Sequence, residues 1–371
     1  MRYRGPVFSF LKNKKGKVFV GLSGGVDSAT SAALLLRRGF EVSGVFIKIA
    51  IEGYPCPAAQ DRIEAMRVAA HLRIPFIEID LSKEYQKRVF DFSIKEFAQG
   101  ATPNPDALCN REIKFGLFYD FARARGADYV ATGHYAQLVD GKLFAGEDNT
   151  KDQSYFLWAV PHEHLLHTLF PVGALKKTQV RKLAKKFGLP NSARPDSQGL
   201  CFLGDLSIED MLIRETHPAE GNVLTEESEI VGRHKGAALY TLGQRHGFVL
   251  ANSRSEAQVQ YVIAKDIKKN TITVSPERYP RTATKTLLTL SYENWIGDAA
   301  SGAYAARFRY RQQLVPAILQ KNDGGNSTVT LLEPHYAPQG QSLVLYEMKS
   351  PCLPAGRCLG GGIISEVALL P

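Results

Sequence analysis

Three short stretches of the sequence hold residues able to do chemistry. The first, Ser23-Gly24-Gly25-Val26-Asp27-Ser28, falls between an apolar run (Lys17 to Leu22) and a helical pattern (Asp27 to Arg38). Glycines let a backbone turn tightly and approach a ligand closely. The helix start then offers open N–H groups and a positive dipole end to a phosphate. The hydroxyls of Ser23 and Ser28 can add hydrogen bonds. Asp27 would repel phosphate, so it reads as a magnesium ligand or a helix N-cap. No Gly-Lys-Ser/Thr follows, which excludes a Walker A loop, and the string is no dinucleotide fingerprint. The bland alternative is a glycine turn that only caps a helix.

The second stretch, Thr102-Pro103-Asn104-Pro105-Asp106-Ala107-Leu108-Cys109-Asn110, reads as a proline-stiffened loop just ahead of a helical pattern from Arg111 to Arg123. A cysteine near a helix N-terminus has a stabilised thiolate, and Asp106 beside it is a candidate general acid or base. The third, Asp196-Ser197-Gln198-Gly199-Leu200-Cys201-Phe202, again sets a cysteine beside glycine and polar residues. Two loop cysteines suit paired thiol chemistry, in which one carries sulfur as a persulfide and the other releases it by forming a disulfide. Either alone is equally an inert core thiol. The chain has no CxxC for a conventional zinc site, and an iron–sulfur centre using both cysteines with Asp106 stays open.

These groups need elements to position them. Lys17 to Leu22, Glu41 to Ile49, Pro75 to Ile79 and Ala127 to Thr132 read as strands, alternating with helices at Asp27 to Arg38 and from about Gln60 to Leu72. That alternation predicts a doubly wound parallel sheet with ligands at the carboxyl ends of its strands. A helix is expected from about Lys176 to Phe187. The texture is mixed and glycine-rich from about 206 to 276, then consists of short alternating segments such as Thr286 to Leu290, Tyr304 to Tyr310 and Ser342 to Leu345, as in an antiparallel β-barrel. The expected division is a basic extension at 1–16, a nucleotide-binding α/β domain at 17–205, a small middle domain at 206–276 and a β-barrel at 277–371.

The chain has 371 residues, a formal net charge of +9 and five cysteines. The charge favours an anionic partner, nucleic acid first. An odd, sparse cysteine set is no disulfide scaffold and fits a reducing cytosol. No apolar run approaches the ~18 residues that cross a bilayer. Lys177, Arg181 and Lys185 fall four apart on one helical face, either a phosphate-binding or merely a solvated stripe. Arg307, Arg309 and Arg311 alternate with Phe308 and Tyr310, which on a strand would put arginines on one face for RNA and aromatics on the other.

SGGVDS, TPNPDALCN, ATGHYA, KDQSYFL, DSQGLCF, YTLGQR and CLGGGII occur in this order, and from about Lys17 to Ile364 the chain resembles the tRNA-uridine 2-sulfurtransferases, or 2-thiouridylases. SGGVDS alone is shared with other PP-loop ATP pyrophosphatases, whereas TPNPDALCN and DSQGLCF are specific to this family. The resemblance implies that ATP with Mg2+ is a substrate, bound by Gly21, Leu22, Ser23, Gly24, Gly25, Val26, Asp27 and Ser28, with Ile47 and Gly133 around the adenosine. It implies that Asn104, Pro105 and Asp106 surround a flipped wobble uridine, that Asp106 assists proton transfer, that Cys201 carries the persulfide and that Cys109 resolves it. His134, Lys151, Asp152, Gln153, Arg309, Tyr310 and Gln341 match positions that touch tRNA. A cytoplasmic monomer is implied, served by a sulfur carrier protein or a cysteine desulfurase, with no tightly bound cofactor. Ile47 replaces the family's usual methionine, and Glu347 to Arg357 is longer than the family pattern. Cys56, Cys352 and Cys358 have no assigned role. Two other readings compete: a PP-loop enzyme that adenylates a small metabolite, and an RNA-binding protein that only senses ATP. Neither needs the cysteine pair.

Overall fold

The computed structural model describes residues 15–54, 58–196, 207–251, 258–322, 324–348 and 356–371. Cys56, Cys201 and Cys352, and all of the DSQGLCF stretch after Asp196, lie outside the described residues. So do residues 1–14 of the basic extension.

Strand β1 (Lys17–Gly21) runs parallel to β2 (Glu41–Lys48) and to β4 (Tyr129–Ala131), and β2 pairs in parallel with β3 (Phe76–Asp80). Two hairpin strands follow, β5 (Ala136–Val139) and β6 (Lys142–Ala145), before β7 (Thr168–Leu169) completes a five-stranded sheet of order β3-β2-β1-β4-β7. Alternation along β1 sorts its side chains to two cores. Val18 and Val20 pack under helix α1 (Val26–Arg37), α2 (Ala58–Leu72) and the Lys177–Lys186 helix, where Ala29, Ala32, Val68, Val180 and Ala184 meet them. Phe19 points to the opposite face with Ile47, Cys109, Ile113 and Phe118. A sheet covered on both faces explains why β1 reads as a continuous apolar run.

The middle region forms a second sheet of order β10-β9-β8-β12-β11, from β8 (Gly221–Leu224), β9 (Ile230–His234), β10 (Phe248–Leu250), β11 (Tyr261–Asp266) and β12 (Thr271–Ser275). Beyond it come β13 (Lys285–Trp295), β14 (Gly302–Arg307), β15 (Val315–Gln320), β16 (Thr328–Leu331), β17 (Ser342–Tyr346) and β18 (Arg357–Leu370). These run β13-β16-β15-β14-β17-β18 and close where β13 pairs with β18, an antiparallel barrel around Leu288, Leu319, Val329 and Leu345. Closure removes the open edges. The β5–β6 hairpin of the first domain joins β18 through Phe144 and Leu143, so the barrel's sheet continues into the α/β domain.

Two local expectations need correction. The helix expected from Arg111 starts at Pro105, because Asn104 caps it: its Oδ1 accepts from the Ala107 N–H at 3.1 Å, with Pro105 at the first helical position. It continues through a π-helical turn (Asn110–Leu117) into Phe118–Ala124. Cys109 is therefore inside the helix, fully buried, and not in the loop ahead of it. The arginine strand ends at Arg307: residues 308–311 turn, and Arg311 takes φ +61°, which breaks the alternation.

Candidate active site

The loop after β1 is locked by its own serines. Ser28 Oγ accepts from the Ser23 N–H at 3.2 Å and donates to the Gly25 carbonyl at 3.1 Å. Gly25 stands at the N-cap of α1 with no side-chain cap, which leaves the first N–H groups of the helix to a ligand. Gly24 has φ +75°, and a Cβ there would lie 2.6 Å from the Asp61 carbonyl. Its own carbonyl accepts from Asn191 Nδ2 at 2.8 Å and from Arg194 at 3.2 Å, and Arg194 is also bonded to Asp61. Gly133, at the end of β4, abuts the start of α1: a Cβ would stand 2.7 Å from the Ser28 nitrogen and 2.9 Å from the Asp27 carbonyl carbon. Gly21 to Ser28 and Gly133 thus form one surface at the carboxyl ends of β1 and β4. Ile47 is buried on the β2 face that carries Phe19, in the same core as Cys109.

Asp27 is not the helix cap. Lys177 Nζ lies 2.7 Å from both its oxygens, and the Tyr135 hydroxyl donates to Oδ1 at 2.7 Å. Burial, then the Asp27 charge, push the Tyr135 phenol far above its ordinary pKa, so it stays a donor. Lys177 also reaches Asp196 at 2.9 Å, and Asp196 meets Lys151 at 2.8 Å and Arg181 at 2.5 Å. Burial alone would raise the Asp196 pKa; the bonds to Lys151 and Lys177 outweigh it and hold the carboxyl well below its usual range. Two residues of the expected RNA stripe, Lys177 and Arg181, therefore face Asp27 and Asp196, while Lys185 is exposed.

The residues expected to touch RNA meet different fates. Lys151, Asp152 and Tyr310 line a 330 Å³ cleft with Arg307 and Arg311. The Asp152 carboxylate looks inward: Oδ1 accepts from the Gly146 and Ser154 N–H groups at 3.0 Å, and Oδ2 pairs with Arg307 at 3.1 Å. Gln153 Oε1 accepts from the Tyr135 N–H at 3.0 Å, and Gln341 Oε1 from the Tyr155 hydroxyl at 3.1 Å. Tyr310 packs on Phe156 with ring centres 4.6 Å apart. The Arg309 guanidinium turns to the Leu242 and Tyr336 carbonyls, joining the barrel to the middle domain. His134 is buried beside Phe115 and Phe170, with Nδ1 2.7 Å from Thr132 Oγ1. Burial, and secondarily the Lys114 charge, hold its pKa well below the ordinary value, so it is neutral at pH 7.

Asp106 is half-buried in the first turn of the Cys109 helix. Asn104 and Pro103 line a second cleft of 240 Å³, against Ser291 and Tyr292 of the barrel. Among the described residues, no group of three histidine, cysteine or carboxylate side chains is placed to hold a metal. No helix among them is long and apolar enough to cross a membrane. Sequence reasoning missed Tyr135 and Arg194, gave Asp196 no part in an ion-pair cluster and did not pair Arg307 with Asp152. The available signal was a helix with basic residues four apart and no acid of its own to neutralise them.

Residues 16–205 match a family model described as a tRNA methyl transferase HUP domain, 209–276 one described as a tRNA methyl transferase PRC-barrel domain, and 285–364 one described as an aminomethyltransferase beta-barrel domain. Over 362 residues the chain is 41% identical to the tRNA-specific 2-thiouridylase MnmA of Nitrosomonas europaea, covering 94% of this chain and 98% of that protein. The MnmA of Enterococcus faecalis is 38% identical over 367 residues, 95% and 96% of the two chains. The chain belongs to the tRNA-specific 2-thiouridylase family. Similarity of this extent runs through all three sheets, so the family relation includes the middle sheet and the barrel as well as the loop. Within this 2-thiouridylase fold the segment 151–156 is the junction. Its side chains bond to Asp196 and Tyr135 through Lys151 and Gln153 and to the barrel through Asp152 and Tyr155, and the Phe156 carbonyl accepts from Asn110 Nδ2, next to Cys109, at 3.0 Å.

Proposed function

We propose that this enzyme thiolates C2 of the wobble uridine of the tRNAs for Lys, Glu and Gln at the expense of ATP. The observation that carries the proposal is the loop Ser23 to Ser28, with uncapped helix N–H groups, Gly133 pressed against them and lysine and arginine side chains converging behind them. Such a surface suits a polyphosphate. Mg·ATP binds there as substrate, with Ile47 and Gly133 beside the adenosine. The uridine is flipped out of its stack, since its reacting edge is otherwise hidden, and held at Asn104, Pro105 and Asp106.

The C2 oxygen attacks the α-phosphorus and pyrophosphate leaves, giving an adenylated uridine. The terminal sulfur of a Cys201 persulfide attacks C2 and AMP departs with the former C2 oxygen. Cys109 thiolate then attacks Cys201 Sγ, which breaks the S–S bond to the base and frees 2-thiouridine. The two cysteines end as a disulfide that a cellular thiol reductant reopens. Asp106 moves the proton at the base. A sulfur carrier protein or cysteine desulfurase reloads Cys201, and the enzyme works as a cytoplasmic monomer. Lys151, Arg307, Tyr310 and Arg311 in the 330 Å³ cleft offer charge and a ring to the RNA backbone and bases. The inward contacts of buried His134 and Asp152 and of half-buried Gln153 and Gln341 suit a role in shaping that surface from beneath.

The test is a thiolation assay with unmodified tRNA, Mg·ATP and a persulfide donor, read by mass spectrometry of the digested RNA. A thiolated uridine that is lost in both Cys109→Ser and Cys201→Ser is expected. ATP cleavage to AMP and pyrophosphate without thiolation would favour a metabolite-adenylating enzyme. tRNA binding with neither reaction would favour an RNA-binding protein.

A further inference from the structure

Lys177 begins the Lys177–Lys186 helix, and its backbone N–H is tied to Asp148 Oδ2 at 2.9 Å. The main chain is therefore fixed and only the side chain is free to choose partners. That side chain is 12% exposed and shared between two carboxylates, Asp27 and Asp196. Asp196 already holds Lys151 and Arg181, and Asp148 is a third carboxylate beside Lys151, so three cations face three acids. Lys177 is the cation of this cluster that reaches Asp27, next to the uncapped N–H groups of α1 where an anion is favoured. Asp27 is the second residue of α1, so its carboxylate lies where a bound phosphate meets like charge unless a cation stands between them.

We propose that Lys177 is a phosphate ligand of the nucleotide: it neutralises Asp27 before ATP binds and turns its ammonium to the polyphosphate when ATP binds. Asp196 keeps Lys151 and Arg181 during the turn. Asp27 keeps the Tyr135 hydroxyl and gains the metal that accompanies ATP. The inference rests on the ATP-dependent reading above.

The experiment measures Mg·ATP binding by equilibrium dialysis, tRNA binding by filter retention and thermal unfolding, for wild type, Lys177→Met, Lys177→Arg and Asp27→Asn/Lys177→Met. Loss of one charge-assisted contact predicts about tenfold or more weaker ATP binding in Lys177→Met. Lys177→Arg recovers part of it, and tRNA affinity stays within about twofold by the same arithmetic. The double variant stays weak, because the phosphate contact is gone whether or not Asp27 is charged. Full recovery of ATP affinity in the double variant would overturn the proposal, since Lys177 would then only offset Asp27. So would unchanged ATP affinity in Lys177→Met, or a loss confined to tRNA. If wild type binds ATP but thiolates nothing, the proposed function fails and the Lys177 assignment is still decided.

Discussion

Replacing Asp152 tests whether this residue is buried framework or RNA contact. Its side chain is 6% exposed and that of Arg307 16%. Asp152→Ala removes the acceptor of two backbone N–H groups, Gly146 and Ser154, and leaves the Arg307 guanidinium buried without its carboxylate. Arg307 Nε already has no hydrogen-bond partner, and beyond Asp152 its guanidinium has the Tyr346 ring, 5.4 Å away. Breaking a buried pair by removing one member costs about 3–5 kcal/mol. Orphaned N–H groups add to this at roughly 1–3 kcal/mol each, with overlap because the loop relaxes. Asp152→Asn keeps one oxygen for the N–H groups and loses only the charge, so it should cost about half as much. Arg307→Met should rescue part of the Asp152→Ala loss, giving a coupling of about 2 kcal/mol in a double-mutant cycle. Urea unfolding of the four proteins measures this. A cost below about 1 kcal/mol for Asp152→Ala, the range of an exposed pair, together with a large fall in tRNA affinity of the folded protein, would refute the reasoning.

Gly133→Ala should leave the fold intact at moderate cost, about 1–3 kcal/mol for an overpacked contact. It should weaken ATP binding by about tenfold or more, because the methyl displaces the Ser28 and Asp27 backbone where phosphate meets the helix; calorimetric ATP titration against melting temperature separates the two effects. Lys265 has its pKa lowered to about 8 by burial, so the unfolded chain binds its proton more readily than the folded one. Stability should therefore gain a contribution as pH rises from about 8 to 10.5, the ordinary lysine range. Lys265→Met should be more stable than wild type at pH 7, by no more than about 3 kcal/mol before the lost bond to the Tyr240 carbonyl is counted. The advantage should fade by pH 10 in paired urea titrations, and an advantage that grows with pH would contradict the assignment.

The strand–loop–helix around Ser23 to Ser28 was legible because its signals are contiguous: strand, glycines, serines and helix start all fall within Lys17 to Arg37. The barrel strands were legible from alternation, and the parallel sheet from its βα rhythm. Periodicity correctly put Lys177 and Arg181 on one face, but it does not say what that face meets. Their partner Asp196 is brought back only by the tertiary path of residues 187–196. Prolines misled at 103–105, where Asn104 and Pro105 are a cap and a first helical residue, not a loop. The alternation at 307–311 held sequence period without strand geometry, since Arg311 adopts a left-handed backbone. Pairing of β6 with β18 joins residues more than 200 positions apart (357 − 144 = 213), and no local pattern encodes it.

That long-range pairing bears on how the site is assembled. The β5–β6 hairpin leads directly into residues 146–156, so docking the hairpin on β18 delivers this segment between the barrel and the α/β domain. The side chains there then meet several elements: Lys151 meets Asp196, Asp152 meets Arg307, Gln153 meets Tyr135, Ser154 meets Tyr346 and Tyr155 meets Gln341. A short segment bonded on so many sides cannot shift toward one partner without breaking bonds to another. The Phe156 carbonyl extends the same constraint to Asn110, beside Cys109. Cys109 and the Lys151 end of the ion-pair chain that begins at Asp27 are thus held by one rigid span, and cutting it at Asp152 should loosen both ends together.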